Sequence, residues 1–223
     1  MEVVQSLKGH RDAVNALTLV PDSNQSLWSA SDDCCARFWD LRTSTRSQKC
    51  LRLKDAVTDI AIHPSGDGEY HVFLASGNSV FSIDSRMCGN VVTVVSNTNS
   101  REVLQCSDEV NAVALLPELR VAAASDDSRI YISEFHSRDF VTKTLDGHTN
   151  IVSNICVVGD DLLASAGLDG CLHVWDIETL QLDHSFNTGA TDAMFHDLDA
   201  SANGGWVAAA LANSVIHLYD LEV

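Results

Sequence analysis

The 223-residue sequence predicts an all-β chain assembled from internal repeats, and three observations carry that prediction. Gly9-His10 is followed by Trp39-Asp40, and Gly147-His148 by Trp175-Asp176, with His-to-Trp intervals of 29 and 27 positions. Between these landmarks, Leu27-Trp28-Ser29-Ala30-Ser31-Asp32-Asp33 stands in the register of Leu163-Ala164-Ser165-Ala166-Gly167-Leu168-Asp169. Short apolar runs followed by turn residues fill the remainder, and no stretch carries the periodicity of an amphipathic helix. Self-similarity at such a period decides the architecture ahead of local propensity.

The positions equivalent to Trp39 continue through weaker copies as Ile83, Ser133, Trp175 and Tyr219, at steps of 44, 50, 42 and 44 residues. Five units result, near 7–54, 53–96, 104–143, 145–186 and 187–223. The second has Ile83-Asp84 at the Trp-Asp place and a shortened hairpin, Ser76-Gly77-Asn78-Ser79. The third keeps Ser125-Asp126-Asp127 but has Ser133-Glu134 there, and the fifth ends in Tyr219-Asp220 without a Gly-His. A unit of about 40–45 residues with Gly-His early and Trp-Asp late resembles the WD40 repeat. The resemblance covers nearly the whole chain. It implies a β-propeller in a single domain spanning residues 1–223, each unit forming one four-stranded blade.

Local chemistry agrees, element by element. Ala13–Val20, Val57–Ile62 and Val110–Leu116 read as the first strands of their units. Pro21-Asp22-Ser23-Asn24, Pro64-Ser65-Gly66-Asp67-Gly68 and Pro117-Glu118 follow them as turns. Asp169-Gly170 between apolar runs reads as a hairpin with a type I′ turn, which needs positive φ at both central residues. Ala122-Ala123-Ala124 and Ala208-Ala209-Ala210 fall where second strands belong and suit blades that taper toward a common axis. Five blades are few for this family. The ring is therefore expected to be either a small closed one or part of a seven-bladed one. In the family the N-terminal segment often supplies the outer strand of the last blade. Glu2–Leu7 and the end at Leu221-Glu222-Val223 fit that scheme.

Composition narrows the function classes. No run approaches the ~18 apolar residues of a membrane span, and Met1-Glu2-Val3-Val4 does not read as a secretory signal. Seven scattered cysteines without a Cys-x-x-Cys point to free thiols in a reducing compartment, cytoplasmic or nuclear. The nine histidines show no ligand spacing, so neither a metal nor a cofactor is expected. Net charge is −17, yet residues 1–54 hold eight Lys/Arg against six Asp/Glu. Residues 144–223 carry 12 acidic side chains and no Lys or Arg. Such a half repels phosphate backbones and anionic membranes, and it complements a basic peptide or a histone.

His148, Ser165, Asp169 and Trp175, mirrored by His10, Ser29, Asp33 and Trp39, invite a hydrolase reading because they include Ser, His and Asp. The resemblance implies a structural one. Family members bury a hydrogen-bonded tetrad of these four types, indole to hydroxyl to imidazole to carboxylate. A catalytic set would occur once, whereas this one occurs twice in equivalent places. No phosphate-binding glycine loop, dinucleotide fingerprint or nucleophile elbow is present, and the chain is expected to be non-enzymatic. The carboxylate pairs Asp32-Asp33, Asp126-Asp127 and Asp160-Asp161 fall at expected hairpin turns, where Asp bonds local backbone.

One feature separates the two strong units. Residues 27–42 resemble the sixteen-residue box of WD40 proteins that serve as substrate receptors of cullin-RING ubiquitin ligases. The box is marked by Trp-Asp-x-Arg, here Trp39-Asp40-Leu41-Arg42. Ile83-Asp84-Ser85-Arg86 matches it in part, whereas units four and five place Glu178 and Glu222 at the arginine position. The resemblance implies that Arg42 and Arg86, flanked by Asp40 and Asp84, contact the ligase's adaptor subunit. A generic WD40 interaction scaffold is the alternative, and a Ser-His-Asp hydrolase comes last.

Overall fold

The computed structural model describes residues 5–21, 23, 25–42, 45–66, 68–88, 92–96, 99–135, 142–189, 194–201 and 203–221. Among these residues every long element is a strand. Helical turns among the described residues are short 3-10 segments at Ser85–Met87 and Pro117–Leu119. Among the same residues no helix is long and apolar enough to cross a membrane. Contacts divide the chain into two compact units, Met1–Glu102 and Val103–Val223.

The first unit holds two sheets. One runs β1 (Val14–Leu19), β2 (Ser26–Ser31), β3 (Cys35–Asp40) and β4 (Lys49–Arg52), joined by antiparallel pairing. The other comprises β5 (Val57–Gly66), β6 (Glu69–Ser76) and β7 (Ser79–Asp84); the next strand in its order, β9 (Arg101–Gln105), straddles the boundary at Glu102. The short β8 (Val92–Val94) falls in the second repeat by sequence. It pairs instead in parallel with β4, as a fifth strand of the first sheet. Trp28, Leu51, Val57, Ile60, Val72, Leu74 and Ile83 form the apolar core of this unit. Each large side chain so buried contributes roughly 1.5–3 kcal/mol.

The second unit repeats the meander. β10 (Val110–Leu116), β11 (Arg120–Ser125), β12 (Arg129–Glu134) and β13 (Lys143–Asp146) form one sheet. The next is β14 (Val152–Val158), β15 (Leu162–Gly167), β16 (Cys171–Asp176) and β17 (Leu182–Asn187). A three-stranded sheet follows, of β18 (Phe195–Ala200), β19 (Trp206–Leu211) and β20 (Ile216–Asp220). Small residues let the sheets pack closely, and Ala122, Ala124, Ala164, Ala166 and Ala209 are all fully enclosed.

Every first strand carries a register shift at its second residue: between Val14 and Ala16, Val57 and Asp59, Val110 and Ala112, Val152 and Asn154, and Phe195 and Asp197. A bulge re-aims the side chain of the extra residue. Asn15 accordingly donates to Asp32 Oδ1 (2.7 Å) and to Val57 O (3.0 Å) of the neighbouring sheet. Asn111 does the same to Asp126 Oδ1 (2.7 Å) and Val152 O (3.0 Å). Ser153 donates to Phe195 O at 2.7 Å. At Asn15, Asn111 and Ser153 the bulge thus supplies a polar clamp between neighbouring sheets.

Two turn expectations need correction. At Asp169-Gly170 only Gly170 takes positive φ (74°), and its N–H bonds Gly167 O at 3.2 Å. The link has three loop residues, Leu168 to Gly170, closed by the left-handed glycine, rather than the two of a type I′ turn. Gly170 takes the left-handed place at no steric cost, and the Asp169 carboxylate accepts from Cys171 N beyond it. The Pro64–Gly68 stretch is not wholly a turn either, since β5 continues through Pro64, which faces Tyr70, to Gly66. β5 is an edge strand of its sheet, where a missing N–H is tolerated. Of the proposed terminal strand, residues 2–4 lie outside the described residues, and Gln5–Leu7 carry no strand. Asp22, Asn24, Asp67, Glu222 and Val223 lie outside them as well.

Candidate functional site

The two strong repeats build the same polar constellation. In the first, Trp39 Nε1–H donates to Ser29 Oγ (2.8 Å), and Ser29 Oγ meets His10 Nε2 (2.6 Å). His10 Nδ1 in turn meets the Asp33 carboxylate at 3.0 and 3.1 Å. In the fourth, the corresponding distances are Trp175 to Ser165 2.8 Å, Ser165 to His148 2.9 Å, and His148 to Asp169 3.1 Å. Strand pairing produces the alignment. Serine and tryptophan lie on adjacent antiparallel strands, the aspartate sits in the hairpin between them, and the histidine arrives from the loop before the first strand.

The aspartate also ties loop to hairpin. Asp33 accepts from Arg11 N (3.0 Å) and Cys35 N (3.1 Å), and Asp169 from Thr149 N (2.8 Å) and Cys171 N (3.0 Å). Burial works against ionisation of both carboxyls. For Asp33 the His10 and Arg11 hydrogen bonds outweigh it, and for Asp169 the Thr149 N–H and the charge of His148 do. Both therefore titrate below the usual carboxylate range. Burial moves His148 the other way, toward the neutral imidazole, against the pull of Asp169. The glycine before each histidine has a steric reason. A Cβ on Gly147 would lie 2.7 Å from the Trp175 ring, and one on Gly9 would lie 3.1 Å from the Trp39 ring.

The weak repeats fill the same place differently. In the third, Ser133 stands in register with Trp175 and leaves a buried hydroxyl without a partner. Tyr131 compensates in part: its hydroxyl donates to Asp127, and Ser107 Oγ lies 2.9 Å from it. Sequence reading missed this substitute network, although Asp127 at the hairpin was a usable signal. A further set also escaped notice, because only strand pairing assembles it. His148, Asp169 and His173 present ligand-type atoms within 4.8 Å of one another. His173 faces Ser165 across the β15–β16 ladder.

The arginine turns share one geometry. Asp40 Oδ1 accepts from Arg42 N and Nε, both at 3.0 Å, and Oδ2 accepts from Arg42 Nη2 at 2.8 Å. Asp84 takes Arg86 N and Nε at 2.9 Å on Oδ1, with Nη2 on Oδ2. These guanidinium bonds hold both carboxyls down at about 2. The arginine side chains are 64% and 68% exposed, so each carboxylate orients a fork whose outer N–H groups face solvent. In the fourth repeat the corresponding Asp176 binds the Thr179 N–H (2.6 Å) and hydroxyl (2.8 Å) instead, and Glu178 is exposed.

None of the seven cysteines is in a disulfide. Burial pushes the thiols of Cys35, Cys106 and Cys156 up to about 12 and that of Cys88 to about 11, so none of these is a thiolate at neutral pH.

Comparison with known proteins agrees with this geometry. Residues 1–40 and 140–176 match the family model "WD domain, G-beta repeat". The chain is 28% identical over 177 residues to nuclear distribution protein PAC1 of Arthroderma benhamiae, covering 77% of this chain and 37% of that protein. It is 30% identical over 152 residues to nuclear distribution protein nudF 1 of Talaromyces marneffei (68% and 31%). It is 26% identical over 155 residues to mouse pre-mRNA-processing factor 19 (69% and 29%). The chain thus spans about a third of the length of the relatives it matches. The two matched segments coincide with the two complete tetrads, and with the four-stranded antiparallel meanders around them they support the WD40-repeat family for this chain.

Proposed function

We propose that this chain is a non-enzymatic protein-interaction scaffold that docks onto an adaptor subunit of a cullin-RING ubiquitin ligase and presents a substrate to it. The observation that carries the docking half is the pair of Asp-x-Arg turns. Arg42 and Arg86 lie two residues past the third strands of successive repeats, each forked onto its own carboxylate and more than half exposed. A planar fork held in place loses little freedom on pairing with a partner's carboxylate or carbonyl. The order of repeats, one without Trp, then a Ser-Asp-Asp repeat, then a Trp-bearing one, is similar to that of WD repeat-containing protein 53. The matched relatives bear names from nuclear distribution and pre-mRNA processing, as befits a module reused for binding in unrelated processes.

A non-enzymatic role is favoured by the tetrads themselves. Ser29 and Ser165 are enclosed, and each hydroxyl already holds an indole N–H and an imidazole. A nucleophile needs an accessible oxygen and donors for an oxyanion, and neither serine offers a substrate an approach. A second partner class is favoured by charge: with 12 acidic side chains and no Lys or Arg, residues 144–223 suit a basic peptide or histone tail.

The docking reading is tested by affinity capture of the ligase adaptor with the wild-type chain and with the double variant Arg42→Ala/Arg86→Ala. Adaptor recovery should fall sharply in the variant. Unchanged recovery, or none with the wild type, overturns the reading.

A further inference from the structure

The fourth repeat departs from the first at two places that touch the tetrad. Where β3 carries Arg37, β16 carries His173, and where β2 ends in Ser31, β15 ends in Gly167. Arg37 reaches away to Ser47 Oγ (3.0 Å) and lies 3.8 Å from Asp33. His173 makes neither contact. It is 5% exposed, and neither of its ring nitrogens has a hydrogen-bond partner. Buried polar groups almost always find one, so a doubly orphaned imidazole asks for an explanation. Its ring meets that of His148 at a centroid distance of 4.3 Å. Gly167 keeps side-chain atoms out of the same corner: a Cβ there would lie 2.6 Å from His148 Nδ1 and 2.7 Å from Asp169 Oδ1.

We propose that His148, Asp169 and His173 form a binding site for one divalent transition-metal ion, with zinc as the natural occupant. Two neutral imidazoles and a carboxylate are a set that zinc accepts, with water completing the tetrahedron. The three ligand atoms already lie within 4.8 Å of one another. Zinc bonds of roughly 2.0–2.2 Å require separations of about 3.4 Å, so closure takes side-chain shifts of about 1 Å or less. His148 Nδ1 trades its hydrogen bond to Asp169 for the metal, and its proton moves to Nε2. From there it donates to Ser165 Oγ, which has a lone pair for it beside the one that receives Trp175 Nε1–H. The Thr149 and Cys171 N–H groups keep Asp169 oriented. The tetrad thereby becomes the outer shell that metal-binding histidines characteristically use. The first repeat cannot do this, because a guanidinium stands where the second imidazole would be, so one ion per chain is expected.

The test uses the full 223-residue chain, reduced and freed of metal, titrated with zinc against a chromophoric chelator and separately with cobalt(II). His173→Phe keeps a ring without a donor, and His173→Arg restores the residue that the first repeat already accommodates, so at least one variant keeps its fold. The wild type should bind one zinc with a rise in Tm, and its cobalt spectrum should lack thiolate charge-transfer bands. Losing a direct ligand should weaken binding by more than the roughly 10–100-fold that outer-shell changes cost. Equal affinity in either folded variant, no zinc bound by the wild type, or a thiolate-dominated cobalt spectrum would each overturn the proposal.

Discussion

The first and fourth repeats hold the same four side chains at nearly the same distances, yet among the residues around them three differences bear on the corner beside the tetrad. Arg37, Ser31 and Cys34 in one answer to His173, Gly167 and Gly170 in the other. The tetrad is therefore a tolerant scaffold element, while the residues beside it decide whether the corner is sealed by a guanidinium or left as a pair of imidazoles. Similar framework and different lining is what a repeat protein needs if its units are to share a fold and diverge in surface.

Exchanging residues between the two repeats is the sharpest way to break this comparison. Gly167→Ser gives the fourth repeat the residue of the first. The new Cβ would collide with His148 and Asp169, and the tetrad must open to admit it. A loss of about 3–4 kcal/mol in urea unfolding is expected, combining overpacking with an orphaned buried hydrogen bond. A change below about 0.5 kcal/mol would mean that the two corners are interchangeable after all. The reverse exchange, Ser31→Gly, removes a hydroxyl that accepts from Asp33 N (3.1 Å) and donates to Asp12 O (3.5 Å), frees the backbone, and should cost about 1–2 kcal/mol.

The hairpin position gives the smallest effect. Cys34 adopts φ 61° where Gly170 adopts 74°, and Ser128 and Ser214 take the same left-handed place in the third and fifth repeats at 72° and 66°. A side chain there is strained, so Cys34→Gly should stabilise the chain by about 0.5–1 kcal/mol, read as a raised urea midpoint. Loss of stability would show that the Cys34 side chain does something beyond occupying a turn.

Much of this was legible beforehand. Gly-His and Trp-Asp are readable because each pair answers to one physical demand: an indole that needs a buried acceptor, and a glycine on which its ring edge can rest. Register showed His10, Ser29, Asp33 and Trp39 to be equivalent to their fourth-repeat counterparts, and the WD40 resemblance implied the tetrad they form. The third repeat resisted because Tyr131 and Ser107 rebuild its network from positions other than those of the motif. The Asn15 and Asn111 clamps resisted because a bulge, invisible as a pattern, aims them. The parallel docking of Val92–Val94 on the first sheet, and the proximity of His173 to His148, depend on which strands pair rather than on spacing along the chain. The two Asp-x-Arg turns were located by sequence, but the fork that orients each guanidinium emerges only with the backbone turn in place.

The central claim is that in both repeats the serine of the His-Ser-Asp-Trp set has a structural role, holding the indole and the imidazole. Ser29→Ala and Ser165→Ala, each measured by urea unfolding, test it most directly. Either change strands a buried indole N–H and an imidazole nitrogen, and both should lower stability by about 2–3 kcal/mol. Unaltered stability in either variant would contradict the account, as would an activity lost on Ser165→Ala while its stability stays intact.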